Sequence, residues 1–149
     1  MMKVTLIAPE GLKEKYLREA ADEYIKRLRG FCNLKIAEFS PFKLPEKPSA
    51  AQIAAALDRE AEQILKKIPE GSRTAALCIE GKMLSSEELA AEIRAADNSG
   101  TPFTFIIGSS HGLAEQVKKN ADIRLSFSKM TFPHQLFRVL LLEQLYRAY

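Results

Sequence analysis

Residues Leu125–Tyr149 read LSFSKMTFPHQLFRVLLLEQLYRAY, and the distribution of apolar side chains in the second half decides the fold. The first part is a hydroxyl-rich loop leaving a short strand. The second part is a helix. At about 100° per residue, Leu136, Phe137 and Leu140 cover one side, Val139, Leu142, Tyr146 and Tyr149 the opposite side, and Leu141 and Leu145 the remaining gap. A helix on the surface of a monomer needs one apolar stripe, whereas one that is apolar all round must be covered all round. The sixteen residues from His134 are too few for a bilayer span, which takes about 20 apolar residues, and Arg138, Glu143 and Arg147 interrupt the run. The helix is therefore either the centre of the fold or shared with a second subunit. The face carrying Val139, Leu142, Tyr146 and Tyr149 is expected at a two-fold interface, since a homodimer of that symmetry is the commonest assembly.

Working outward from that helix, strands and helices alternate. Lys3 to Ala8 and Leu34 to Phe39 read as short strands, and Leu12 to Arg29 as a helix with Tyr16, Leu17, Ala20, Tyr24 and Leu28 at helical spacing. Ser40 to Ser49 holds three prolines and two lysines, so it is a loop, ending in a serine suited to N-capping. Ile53 to Ile68 is helical and Thr74 to Ile79 is a buried strand. Ser85-Ser86-Glu87-Glu88 is a capping box that opens a helix running to about Asn98. Phe103 to Ile107 is the most apolar strand. A short helix at Glu115 to Asn120 and a short strand at Ile123 to Ser126 complete the set, with Pro133 tolerated in the first turn of the last helix. This order predicts an α/β fold: one domain over residues 1–149, with a parallel-type sheet and helices on both faces. Ligands of such sheets bind at the carboxyl ends of the strands. Cys78 to Lys82, Ile107 to Leu113 and Phe127 to Phe132 each leave a strand, so the three can converge on one crevice.

Composition narrows the function class only a little. A hydrophobic share of 46% and a charged share of 28% are ordinary for a soluble globular chain. The net charge of +3 permits RNA binding without demanding it. Cys32 and Cys78 stand in no metal-ligand spacing, as reduced cytosolic thiols would. The apolar run after Met1-Met2-Lys3 stops at Pro9-Glu10, too short for a signal peptide, so a cytoplasmic protein is expected.

Several residues have both a bland and a chemical reading. Gly108 and Gly112 bracket a tight turn. Taken alone they are structural glycines, although missing side chains would also let a ligand approach the backbone. Gly108-Ser109-Ser110-His111-Gly112 matches the GxSxG elbow of serine hydrolases, with Asp122 and His134 following in the acid–histidine order. Against that reading, the chain is short, only one weak strand follows the elbow, and His134 opens a long helix. In Phe127-Ser128-Lys129-Met130-Thr131-Phe132 the hydroxyls suit turns and caps, but Met130 and Phe132 in a loop are left unexplained. Apolar side chains beside backbone polar groups would suit an adenine. Arg138 lies one helical turn after His134 on the same face. On a helix with little free surface both should look into a crevice or a partner.

The string SKMTFPHQLFRVLLLEQLYRA resembles the C-terminal signature of bacterial large-subunit (23S) rRNA pseudouridine N3-methyltransferases, small members of the SPOUT class. Ala76-Leu77-Cys78-Ile79-Glu80-Gly81-Lys82 and Ile106-Ile107-Gly108-Ser109-Ser110-His111-Gly112-Leu113 resemble the family's other two signatures. The resemblance implies a C-terminal trefoil knot, a homodimer, and S-adenosylmethionine as cofactor, with no metal and no membrane. It implies that Leu77, Gly108, Phe127, Ser128, Lys129, Met130, Thr131 and Phe132 bind the cofactor, and that Arg138 and His134 are catalytic. The implied substrate is a pseudouridine of 23S rRNA on the assembled ribosome. An inactive cofactor-binding paralogue and the serine hydrolase remain as other readings. Methyl transfer is an in-line displacement in which positioning does most of the work, helped by a group that takes the N3 proton or stabilises the uracil anion. Family chains carry an aromatic- and histidine-containing tail beyond YRA that contributes to the site across the dimer. The chain as read stops at Tyr149, so weak turnover is expected of it. Cys78 and Ser109 stand where the family commonly has an acid and a glycine, and both can alter cofactor affinity.

Overall fold

A computed structural model describes residues 1–149. Five strands and five helices alternate without exception: β1 Lys3–Pro9, α1 Lys15–Leu28, β2 Asn33–Phe39, α2 Ala50–Lys67, β3 Arg73–Met83, α3 Ser86–Asn98, β4 Phe103–Ile106, α4 Glu115–Asn120, β5 Ile123–Ser126 and α5 His134–Ala148. All strand pairs are parallel, in the order β2-β1-β4-β3-β5. The expected α/β class and the convergence of strand ends therefore hold.

Crossover geometry assigns each helix its face. The connections β1→β2 and β3→β4 step one way along the sheet, and β2→β3 and β4→β5 step the other way. A constant crossover hand requires the two sets to lie on opposite faces. They do: α1 and α3 join α5 in the larger core with Leu6, Phe103, Phe105 and Leu125, while α2 and α4 cover Ile7, Ala76 and Ile106. The strands alternate with period two to serve both cores. Thr5, Thr104 and Thr74 are paired across three neighbouring strands, and all three are buried.

Local chemistry explains most element boundaries. Ser49 and Ser85 each close a complete capping box, with Gln52 and Glu88 respectively. The expected starts of α1 and α2 shift to Lys15 and Ala50, because extended backbone at Glu14 and Ser49 fixes where the helical turns begin. Pro133 sits at the N-cap position, just outside the helix instead of within its first turn. The largest difference is in β3. It does not stop at Ile79 but resumes through Met83 after a register shift: Leu125 of β5 is the partner of both Leu77 and Lys82.

The helix α5 is the central element that its all-round apolarity demands. Leu141, Leu142 and Leu145 are completely buried, with Val139 close behind. Tyr146 meets Tyr24 of α1 and Phe31 at 6.3 and 6.2 Å between ring centroids, and Phe31 stacks on Tyr149 at 6.0 Å. Of the residues expected at a two-fold interface, Val139 and Leu142 are buried within one chain and Tyr146 packs on Tyr24 and Phe31, so these three are corrected to contacts inside the subunit. Apolar side chains stay open at the start of the helix and the loop before it, where Met130, Phe132 and Leu136 are 75%, 37% and 36% exposed, and at its far end, where Tyr149 and Phe31 are 37% and 46% exposed. Truncating Leu142 to alanine should cost about 2–5 kcal/mol of stability. Urea denaturation should show a lower midpoint at unchanged slope, with the protein's association state unchanged, whereas dissociation by Leu142→Ala would restore the interface reading.

Candidate active site

Parallel strands place all their carboxyl ends at one edge of the sheet. At that edge the chain encloses a cavity of about 790 Å³, inside the range of about 300–1,000 Å³ usual for small-molecule sites. Its walls come from three places: Leu77 to Glu80, Ile107 to Leu113, and Ser126 to His134 with Phe137.

Each wall has a local cause. In β3 the chain leaves the ladder after Leu77 and returns at Lys82, so Cys78, Ile79 and Glu80 are pushed into the cavity rim. Gly81 is obligatory there. A Cβ on it would lie 2.6 Å from the Arg124 carbonyl oxygen, nearer than real Cβ contacts come. The second wall is a turn closed by Gly112 N–H donating to the Ser109 carbonyl at 2.9 Å. Gly112 has φ +85°, and a Cβ on Gly108 would sit 2.3 Å from the Gly112 carbonyl oxygen. Gly108 is thus required by the turn itself, as the bland reading had it. The third wall combines hydroxyl-bonded backbone with aromatic packing. Ser126 Oγ donates to the Ser128 carbonyl, and Met130 N–H donates to Ser128 Oγ, both at 3.0 Å. Phe127 and Phe132 pack on Phe137 of α5, with ring centroids 4.8 and 6.1 Å away.

Charge at the cavity is arranged in pairs. Lys118 of α4 bonds Glu80, and this hydrogen bond holds the Glu80 carboxyl below the usual carboxylate range. Burial raises the Cys78 thiol, which therefore stays protonated at neutral pH. Burial, reinforced by the neighbouring Arg138 cation and opposed by Glu60, lowers His134 below the ordinary histidine value. His134 is accordingly neutral near pH 7, free to accept a hydrogen bond or a proton.

Of the residues expected to bind a cofactor, Leu77, Gly108, Phe127, Ser128, Met130, Thr131 and Phe132 all line the cavity, as does His134. Lys129 does not, its side chain lying exposed outside. Arg138 also stays out of the cavity. Its guanidinium is buried, donates to the Pro9 carbonyl, and pairs with Glu38 Oε2 at 2.9 Å. It ties α5 to the ends of β1 and β2, and its charge is committed there. The serine-hydrolase constellation is not assembled. Ser110 lies at the carboxyl edge of the sheet, whereas Asp122 precedes β5 at the opposite edge, where its Oδ2 accepts from Thr74 N–H at 2.8 Å.

Glu60 was missed in the sequence. It is 4% exposed, and both carboxylate oxygens are used: Oε1 accepts from the Ser109 hydroxyl at 2.6 Å, Oε2 from Phe42 N–H at 2.9 Å. The signal was present, because Glu60 falls between Leu57 and Ile64 on the apolar face of α2, where a carboxylate needs partners.

Comparison with known proteins agrees with this geometry. A family model described as "Predicted SPOUT methyltransferase" matches residues 2–149. The ribosomal RNA large subunit methyltransferase H of Alkaliphilus oremlandii is 49% identical over 148 residues, covering 99% of this chain and 93% of that protein. The proteins of the same name from Clostridium acetobutylicum and Bifidobacterium adolescentis are 47% and 51% identical, each covering 99% of this chain and 94% of the relative. A solved structure of a methylase-family protein from Neisseria gonorrhoeae superposes with a TM-score of 0.58 at 13% identity, covering 98% of this chain and 81% of that one, which speaks for the fold alone.

The lowered His134 has a consequence for stability. Above about pH 6.5, the unperturbed value, the imidazole is neutral in both folded and unfolded chains, and its contribution is flat. As pH falls through that value the unfolded chain takes up the proton while the folded one resists, so stability is lost until the folded value is also passed. Urea midpoints measured from pH 8 down to pH 5 should therefore fall more steeply for the unmodified protein than for His134→Gln. Parallel curves for the two would mean that His134 is not held neutral by the fold.

Proposed function

The chain belongs to the SPOUT methyltransferase family, and from that premise we propose that it moves a methyl group from S-adenosylmethionine to N3 of a pseudouridine in large-subunit rRNA. The observation that carries this reading is the joining of the three signature segments around one cavity at the carboxyl edge of the sheet. Relatives bearing the name ribosomal RNA large subunit methyltransferase H along almost the whole chain support the choice of RNA.

The residues present fit the cofactor. Leu77, Ile107, Leu113, Met130 and Phe132 supply an apolar wall for a purine ring. The polar backbone of the 108–112 turn and the 126–131 loop lies beside it for the purine edge and the ribose. A sulfonium is cationic, and the neutral His134 next to it imposes no repulsion. Leu77, Gly108, Phe127, Ser128, Met130, Thr131 and Phe132 would hold the cofactor. When bound, the cofactor supplies an electrophilic methyl carbon. In this reading His134, which lines the cavity, accepts the N3 proton of the uracil ring or orders the water that does so. Arg138 acts as a positioning residue, fixing the start of α5 through Pro9 and Glu38 and adding to the burial that lowers His134.

A homodimer belongs to this reading. The exposed Met130 and Phe132 line the cavity and the exposed Leu136 follows them, on α5, so an isologous contact over the three would complete the mouth with the second copy. The reading also implies that the last segment is threaded as a trefoil knot. A ribosomal substrate places the protein in the cytoplasm, and no helix is long and apolar enough to cross a membrane.

Two measurements test the proposal. Saturating S-adenosylmethionine should raise the melting temperature by mass action, and Phe132→Ala should shrink the rise. Radiolabelled cofactor incubated with ribosomes from a strain lacking the modification should deliver label to large-subunit rRNA, recovered as an N3-methylated pseudouridine nucleoside. Stabilisation without label would sink the substrate assignment, and no stabilisation would sink the cofactor assignment. For the dimer, light scattering should find two copies for the unmodified protein and one for Leu136→Glu; an unmodified monomer at micromolar concentration overturns it.

A further inference from the structure

The loop that follows β2 was read in the sequence only as a proline-rich connection, and its structure is more specific than that. It leaves the same carboxyl edge of the sheet as the cavity walls do. Three hydrogen bonds tie it to α2. The Gln63 amide accepts from Ser40 N–H and donates to the Ser40 carbonyl, both at 3.0 Å, and Glu60 accepts from Phe42 N–H. Pro41, Pro45 and Pro48 restrict the backbone further. Despite this anchoring, Phe42 is 45% exposed. The Arg59 guanidinium sits over its ring, 5.1 Å from the centroid, and leaves the rest of the ring open. Arg59, Lys43 and Lys47 are all exposed, and none is in an ion pair. Glu46 is the only acid between Ser40 and Ser49.

An isolated exposed phenylalanine needs no explanation. An aromatic ring on a rigid backbone, backed by a guanidinium and flanked by uncommitted cations, is the combination that binds single-stranded nucleic acid: the ring stacks a base and the cations meet phosphates. The connection to the cavity is direct. One buried carboxylate, Glu60, holds the backbone of Phe42 with one oxygen and the Ser109 hydroxyl of the cavity turn with the other. The ring and the cavity are therefore fixed relative to each other by a single side chain.

We propose that Phe42, Arg59 and Lys43 form a stacking platform for an unpaired base of the RNA strand that presents its target to the cavity. The proposal rests on the RNA-methyltransferase reading for its substrate and deepens it by naming where the flanking strand binds. It also gives Ser109 a role, since its hydroxyl registers the cavity turn against the platform.

The test uses the intact protein and a dye-labelled single-stranded uridine octanucleotide, with fluorescence anisotropy at two salt concentrations. Phe42→Ala should raise Kd at least about five-fold, the lower end of what losing one stacked base costs, by the same factor at both salts. Phe42→Trp should restore binding. Lys43→Ala should instead flatten the salt dependence by about one phosphate contact. Binding by Phe42→Ala within two-fold of the unmodified protein, failure of the unmodified protein to bind, or failure of tryptophan to rescue would each overturn the platform. On ribosomes, Phe42→Ala should raise KM and spare kcat, and an unchanged KM would also overturn it. Phe42-dependent octamer binding by a protein that labels no ribosomal RNA would leave the platform standing and sink the substrate assignment alone.

Discussion

The burial of α5 governs the ligand edge of this molecule. A helix apolar on every side has no stable place at a surface, so α1 and α3 must pack around it. That packing fixes the orientation of the first turn, which carries the two groups that matter there. Arg138 turns inward to Pro9 and Glu38, and His134 turns into the cavity. Burying a guanidinium is costly unless it is paired and hydrogen-bonded, and here it is both. The same turn carries Phe137, on which Phe127 and Phe132 rest. One packing decision in the core thus sets the third wall of the cavity and the burial of His134.

Much of this was legible in the residues. Period-two and helical patterns located every element, and the capping box at Ser85 marked a helix start correctly, while Ser49, read as suited to N-capping, caps a helix that begins three residues before the expected Ile53. Convergence of the three strand-following segments also followed from the parallel order. What could not be read was three-dimensional coincidence. On the side of α5 assigned to a partner, Tyr146 is met by Tyr24 and Phe31, residues far away in sequence with no pattern linking them to it. The return of β3 to pair with Leu125 a second time breaks the one-to-one register that sequence patterning presumes. Arg138 shared a helix face with His134 as its spacing demanded, yet its length let it reach Pro9 on the side away from the cavity.

The two glycines make the same point from opposite sides. Gly108 was weighed as a place of ligand approach, and the structure gives it a backbone neighbour, Gly112, that leaves no room for any side chain. Gly81 drew attention only as part of a motif, yet it is where the chain passes closest to β5. Space at a glycine is a property of what crosses it, and the crossing strand is invisible until the fold is known.

The three walls are drawn from residues 77–80, from 107–113, and from the loop before α5 with the first turn of that helix, and the last of these is held by the packing of α5. During synthesis the chain emerges from its amino end. The early sheet of β1 and β2 can form long before there is anything to pack against its exposed core face, and the cavity can exist only after α5 has docked. The cavity is therefore acquired only once α5 has docked, and ligand binding reports on that docking.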